Sequence, residues 1–150
     1  MTLKGRIFVW VQFACLGLII FNPLAVLNDP IVICGAGLIA IVAWATLFAA
    51  YVRLRESLTI YPEPLENVPF VQTGIYKYIR HPMYLGVILF SLAMCLARTH
   101  WLSWIFFVVL VIDLHFKHSY EDKLLALKWP EALEYQEKVG ALIPKFVVRK

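Results

Sequence analysis

The sequence predicts an all-α integral membrane protein: a bundle of about four transmembrane helices, N-in and C-in, with a cytosolic helical extension at the C-terminus. Three observations carry that expectation. Hydrophobic residues make up 61% of the chain and charged residues only 16%, against about 25% charged in an ordinary soluble domain. The apolar residues gather in long uncharged runs instead of spreading at amphipathic spacing. Lysine and arginine lie between those runs in a one-sided pattern. One compact domain, 1–150, is expected.

The first run extends uncharged from Ile7 to Leu27. At about 1.5 Å of rise per residue it can cross a hydrocarbon core of about 30 Å, so a helix is expected over 7–27. Lys4 and Arg6 before it resemble the start of a signal peptide. The run is too long for one, and no small-residue cleavage site follows, so a retained helix is expected. The second run gives a helix over 31–55, punctuated at its start by Asp29-Pro30, with Arg53 and Arg55 reaching the headgroups and the chain continuing through Glu56. The third, 82–98, is short for a full crossing. The fourth starts at Trp101 and continues past Asp113 and His115 without a helix breaker until Pro130, giving a helix over 101–127. "WPEALEYQEKVG" then reads as a short helix, 130–139, with Glu131 and Glu134 at its positive end and Gly140 after it.

Of the 14 lysines and arginines, only Arg98 falls on the side opposite the others when four crossings are drawn. That bias sets N-in, C-in topology. It accounts for the net charge of +4 with no need of nucleic acid as a partner. Cys15, Cys34 and Cys95 all lie in apolar runs, where small buried hydrophobes are expected. The C-terminal "VVRK" is not a prenylation signal. The longest polar loop, from Arg53 to Arg80, is broken by Pro62, Pro64 and Pro69. Its apolar residues Ile60, Leu65, Val68, Phe70 and Val71 favour an ordered lid over a free tether.

The chemistry concentrates in "TGIYKYIRHPMYLG", Thr73 to Gly86. Pro82 steers His81 away from helical geometry and suits the first position of the third helix. A helix N-terminus beside Arg80 and His81 is a seat for a carboxylate or phosphate. Tyr76, Tyr78 and Tyr84 surround it; Gly74 permits a turn and Gly86 a close helix contact. Counting up the third helix from Pro82 to Arg98 and back down the fourth from Trp101 to Lys117 covers equal lengths. That brings Lys117 and His118 level with Pro82, with Glu121 and Asp122 about one turn beyond and on the face of His118. A zwitterion would suit such a site, its carboxylate at the cationic end and its ammonium at the acidic pair. Asp113 and Lys117 read as an i,i+4 ion pair. His115, His118 and Glu121 have helical spacing for a metal. However, four histidines are too few for a membrane di-iron centre and His100 lies on the far side, so no metal is expected. No Ser-His-Asp set and no phosphate-cradling glycine loop is present.

"VQTGIYKYIRHPMYLG" resembles the shared motif of the isoprenylcysteine carboxyl methyltransferase and phospholipid methyltransferase superfamily, in Gly74, Tyr76, Arg80, His81, Pro82, Tyr84 and Gly86. Glu121-Asp122, Leu125 and Pro144 are similar to its second motif, with Trp129-Pro130 where the family has Phe-Gly. The likeness covers roughly Phe70 to Pro144. Ile75 stands for the usual proline and Asp122 for a second glutamate. An arginine common before the acidic pair in the prenylcysteine enzymes is replaced by His118 or Ser119, which weakens prenylcysteine specificity more than methyl transfer in general.

The resemblance implies a small membrane enzyme that binds S-adenosyl-L-methionine from the cytosol and methylates a lipophilic acceptor entering from the bilayer. That acceptor is a prenylcysteine-type carboxylate, a phospholipid amine or a small lipophilic molecule. It places Gly74, Tyr76, His81, Pro82, Tyr84, Glu121 and Asp122 at the donor, and Arg80, His118 and Glu121 in catalysis. Two other readings stay open: an NADPH-dependent reductase like the sterol and steroid reductases, and a non-catalytic membrane protein of the same fold.

Overall fold

A computed structural model describes residues 2–55, 58–64, 68 and 70–145. It is mostly helical: α1 (Leu3–Ile20), α2 (Pro30–Leu54), α3 (Pro82–Ala97), α4 (Trp101–Lys128) and α5 (Glu131–Lys138). α1, α2 and α4 are long and apolar enough to cross a membrane, and α3 is a shorter apolar helix. α2 packs on α3, α1 on α4, and α3 on α4. A core of Cys15, Ile19, Cys95, Leu110 and Leu114 joins α1, α3 and α4. The outer surface is apolar too: Trp10, Ile31, Leu38, Trp44 and Phe48 are all exposed.

Two elements depart from the sequence-based bounds. The first helix runs 3–20, not 7–27. It begins early because Thr2 Oγ1 accepts the Gly5 N–H as an N-cap. It stops early because Asn22 Oδ1 accepts the Leu24 N–H in a turn around Pro23. Val26–Leu27 then leave the helix altogether and pair antiparallel, as β1, with Arg98–Thr99, β2. Arg98 belongs to that pair and not to the third helix. Its guanidinium donates to the carbonyls of Ile20, Asn22 and Ala25, satisfying acceptors the end of α1 leaves open. The remaining ends of α2 to α5 fall within a residue of expectation, while Glu56 and Leu65 lie outside the described residues. Cys34 is exposed, against the expectation of burial, because α2 is apolar on every face and turns that side outward.

Buried Asn22 also donates to Ser103 Oγ at 2.9 Å, tying α1 to α4. Asn22→Leu is expected to lower unfolding stability in detergent by roughly 1–3 kcal/mol, since Ser103 keeps a buried hydroxyl with one partner fewer. A calibrated denaturant titration with an unmoved midpoint would contradict it.

At the opposite end of the bundle the loop before α3 folds over the helices. Glu63 accepts hydrogen bonds from the Thr2 amide and hydroxyl. Partial burial pushes its carboxyl up, but the Thr2 bonds outweigh that and hold it below the usual carboxylate range. Gly5 gives this latch room, because a Cβ there would meet Glu63 Oε1 at 2.5 Å.

Candidate functional site

The site begins with Gly74, whose φ of 64° lies in the left-handed region that glycine enters without strain. It opens a 3₁₀ turn, Gly74–Lys77, that carries Tyr76 inward. Ile79 bridges to Gly140, and the Arg80 and His81 amides donate to the carbonyls of Gly140 and Ala141, both at 2.9 Å. His81 is the N-cap of α3, held at φ −121° and ψ 60° by the proline after it. Gly86, one turn along, sits against α2: a Cβ there would lie 3.3 Å from the Ala43 carbonyl and 2.5 Å from Leu47 Cγ.

The α3–α4 hairpin brings the basic and acidic clusters together. Asp122 is the hub. Its Oδ2 lies 2.9 Å from Arg80 Nη2 and its Oδ1 2.9 Å from His81 Nε2. Glu121 Oε2 accepts from Tyr84 Oη at 2.6 Å and lies 3.7 Å from His81 Nδ1. The His81 and Tyr84 rings stack with centroids 5.4 Å apart. α5 closes the arrangement. Gln136 Nε2 donates to the Asp122 carbonyl, Arg80 Nη1 donates to the Gln136 carbonyl, and Tyr135 Oη donates to the Tyr76 carbonyl at 2.6 Å. Burial pushes the Tyr135 phenol up to about 12, so it keeps its proton and its donor role through the neutral range. Burial, then the charge of Glu121, pushes the Tyr76 phenol up as well.

These groups line one cavity of about 240 Å³. Arg80, His81, Tyr76, Tyr84, Glu121 and Asp122 are polar residues of its lining. Leu54, Leu58, Met83, Val87 and Leu125 are apolar ones, and Pro62, Val68, Phe70 and Val71 line it from the loop. Phe70 stacks on Trp129 at 5.4 Å. Tyr76 Oη and Arg80 Nε are buried without a hydrogen-bond partner among the described residues.

The remaining sequence-based site residues sit around this lining. Pro82 is buried at the first position of α3 and Gly74 underlies the turn. His118 does not line the cavity. It is buried behind it, its ring 5.3 Å from that of His81 and its Nδ1 4.0 Å from Asp122 Oδ2. His81, His118 and Asp122 offer ligand atoms within 4.8 Å of one another, but Arg80 already occupies Asp122 Oδ2, and a metal cation there would face the guanidinium.

Lys117 corrects one reading. No ion pair joins it to Asp113 among the described residues. Instead its Nζ crosses to α1 and the loop, donating to Gln12 Oε1 at 2.7 Å and to the Ile60 carbonyl at 3.0 Å. Gln12 and Lys117 both line the cavity, yet neither belongs to the sequence-based site. Gln12 was visible as a lone amide in an apolar run.

A model of the phospholipid methyltransferase family matches residues 30–131. The chain belongs to the phospholipid methyltransferase family. The matched span runs from the start of α2 to the first residue of α5. It holds every charged group of the cavity's Arg80–Asp122 network, while α1 and its Gln12 lie before it. No curated protein matches the sequence. Proteins of this family are methyltransferases, which supports an enzyme.

Proposed function

We propose that this phospholipid methyltransferase family member moves a methyl group from S-adenosyl-L-methionine to a lipophilic acceptor drawn from the bilayer. The observation that carries the reading is the meeting of Arg80 and His81 with Glu121 and Asp122 in a cavity that apolar side chains also line. The polar lining suits the donor, and the apolar lining suits the acceptor. The exposed apolar faces of α1 and α2 fit lipid, and the one-sided lysines and arginines support a cavity that faces the cytosol.

The residues fit the donor. Its methionine end carries a carboxylate beside an ammonium. Tyr76 Oη and Arg80 Nε are buried donors without a partner among the described residues, which a carboxylate would satisfy. Glu121 and Asp122 supply negative charge for the ammonium. Phe70 and Trp129 offer flat surfaces for adenine. Bound there, S-adenosyl-L-methionine supplies an electrophilic methyl group on a sulfonium.

The chain's own tasks are alignment and exclusion of water. Gly74 and Pro82 fix the backbone that presents Tyr76 and His81. Tyr84 orients Glu121 by its hydrogen bond. His118, behind the lining, positions His81 and Asp122 and does not touch the ligand. The latched loop keeps water out. A carboxylate or thiolate acceptor has no proton to lose. An amine acceptor does, and Glu121 is the carboxylate in the lining that takes it. Arg80 orients an acidic acceptor.

By calorimetry in detergent, His81→Ala and Glu121→Ala are each expected to weaken S-adenosyl-L-methionine binding about tenfold, the loss of one hydrogen bond to a charged group. Unchanged affinity in both would remove the donor from this cavity. Incubation with labelled donor and host membrane extract identifies the acceptor from the labelled product. The reductase reading predicts NADPH binding instead, and equilibrium titration of both cofactors separates the two.

A further inference from the structure

Lys117 is the charged group that the reading above leaves without a task. It is 2% exposed, yet it lines the cavity. Both oxygens it donates to, Gln12 Oε1 and the Ile60 carbonyl, are uncharged. Its Nζ also lies 5.2 Å from the centre of the Tyr84 ring. Asp113 and Glu121 stand one helical turn to either side on α4. Neither comes within 4.0 Å, and no other carboxylate among the described residues does. The other lysine or arginine in the lining, Arg80, has Asp122.

An ammonium has three donors, and two are used here. A buried charge is costly unless something of opposite sign compensates it. Within an apolar bundle such a group faces a cavity and marks where a ligand lies. As a strut joining α1, the loop and α4, Lys117 would need hydrogen bonds only. Glu121 and Asp113 act on its charge from a distance, but its third N–H is left for something else. The apolar side chains of Leu54, Leu58, Met83 and Val87 line the same cavity.

We propose that Lys117 seats the anionic head of an amphiphile, a phosphate or a carboxylate, whose chain lies along Leu54, Leu58, Met83 and Val87. The proposal rests on the methyl-transfer reading only in naming that amphiphile the acceptor. The third N–H of Lys117 donates to the oxyanion while Gln12 and Ile60 hold the ammonium in place. The headgroup then lies against Tyr84, whose hydroxyl bonds Glu121.

The test titrates purified full-length protein, in neutral maltoside micelles, with dodecyl phosphate, dodecanoate and dodecanol, reading tryptophan fluorescence. The native protein should bind at least one anionic probe about tenfold or more tightly than dodecanol. Lys117→Met should lose that preference, and Lys117→Arg should keep part of it. Calorimetry with S-adenosyl-L-methionine on Lys117→Met should show donor binding intact. Preference for the phosphate identifies a phospholipid-type headgroup, and preference for the carboxylate an acid acceptor; either supports the seat. A native protein that does not favour the anions overturns it, whatever becomes of the variant. So does a preference that survives in Lys117→Met. Anion preference without donor binding in the native protein would leave the seat standing and bring down the methyl-transfer reading.

Discussion

Asp122→Ala is expected to weaken S-adenosyl-L-methionine binding by up to about a hundredfold, and methyl transfer with it. The side chain is the meeting point of two basic residues: one oxygen lies 2.9 Å from Arg80 and the other 2.9 Å from His81. Arg80 and Asp122 side chains are 12% and 13% exposed, so water screens the pair weakly. Removing one member of such a pair leaves the other poorly compensated, at a cost of up to about 3 kcal/mol. Arg80 keeps its bond to the Gln136 carbonyl, but its guanidinium is free to swing toward Glu121 and occupy the place proposed for the donor's ammonium. Asp122→Asn separates charge from shape. It retains an oxygen for one partner and a similar volume, so it should lose less stability than Asp122→Ala and still bind the donor poorly. Calorimetry of both variants beside a thermal unfolding scan decides the matter. Donor affinity within about twofold of native in folded Asp122→Asn would show that the charge of this residue is not used.

Most of the architecture was legible because run lengths and prolines speak directly to helices. Pro30 and Pro82 stand at the first positions of α2 and α3 as expected. The opposition of Arg80–His81 to Glu121–Asp122 followed from equal lengths on the two arms of one hairpin, which depends only on the rise per residue. Two kinds of detail were not legible. An apolar residue at the end of an apolar run does not reveal whether the helix continues, so the run length extends α1 through Val26 and Leu27, which instead pair with β2. Partner choice by long side chains also escapes helical spacing. Lys117 had Asp113 four residues away, but its flexible stem reaches Gln12, 105 positions distant in sequence. Nor does spacing say that Asp122 takes Arg80 while Glu121 takes Tyr84. That division depends on rotamers and on α5, which seats Gln136 beneath Asp122.

The same dependence on α5 makes Gly140 the residue whose smallest change should have the widest effect. A Cβ added there would lie 1.8 Å from the Ile143 carbonyl oxygen and 3.0 Å from its carbon. Both are backbone atoms, so no side-chain rotation relieves the clash, and the turn after α5 must open. That turn supplies the carbonyls of Gly140 and Ala141 to the Arg80 and His81 amides. Opening it therefore releases the segment that aims both side chains, and it frees the Gln136 end of α5 from the site. Gly140→Ala should lose about 2–4 kcal/mol of stability, in the range of overpacked interiors. Donor affinity should fall well over tenfold although no contacting side chain has changed. Ala141→Gly is the control. It preserves the carbonyl that His81 uses and removes one methyl group, so donor affinity should stay near native. Thermal unfolding with and without S-adenosyl-L-methionine reads both quantities in one experiment. If Gly140→Ala keeps the native unfolding temperature and the full donor-induced rise, the turn does not set the position of Arg80 and His81.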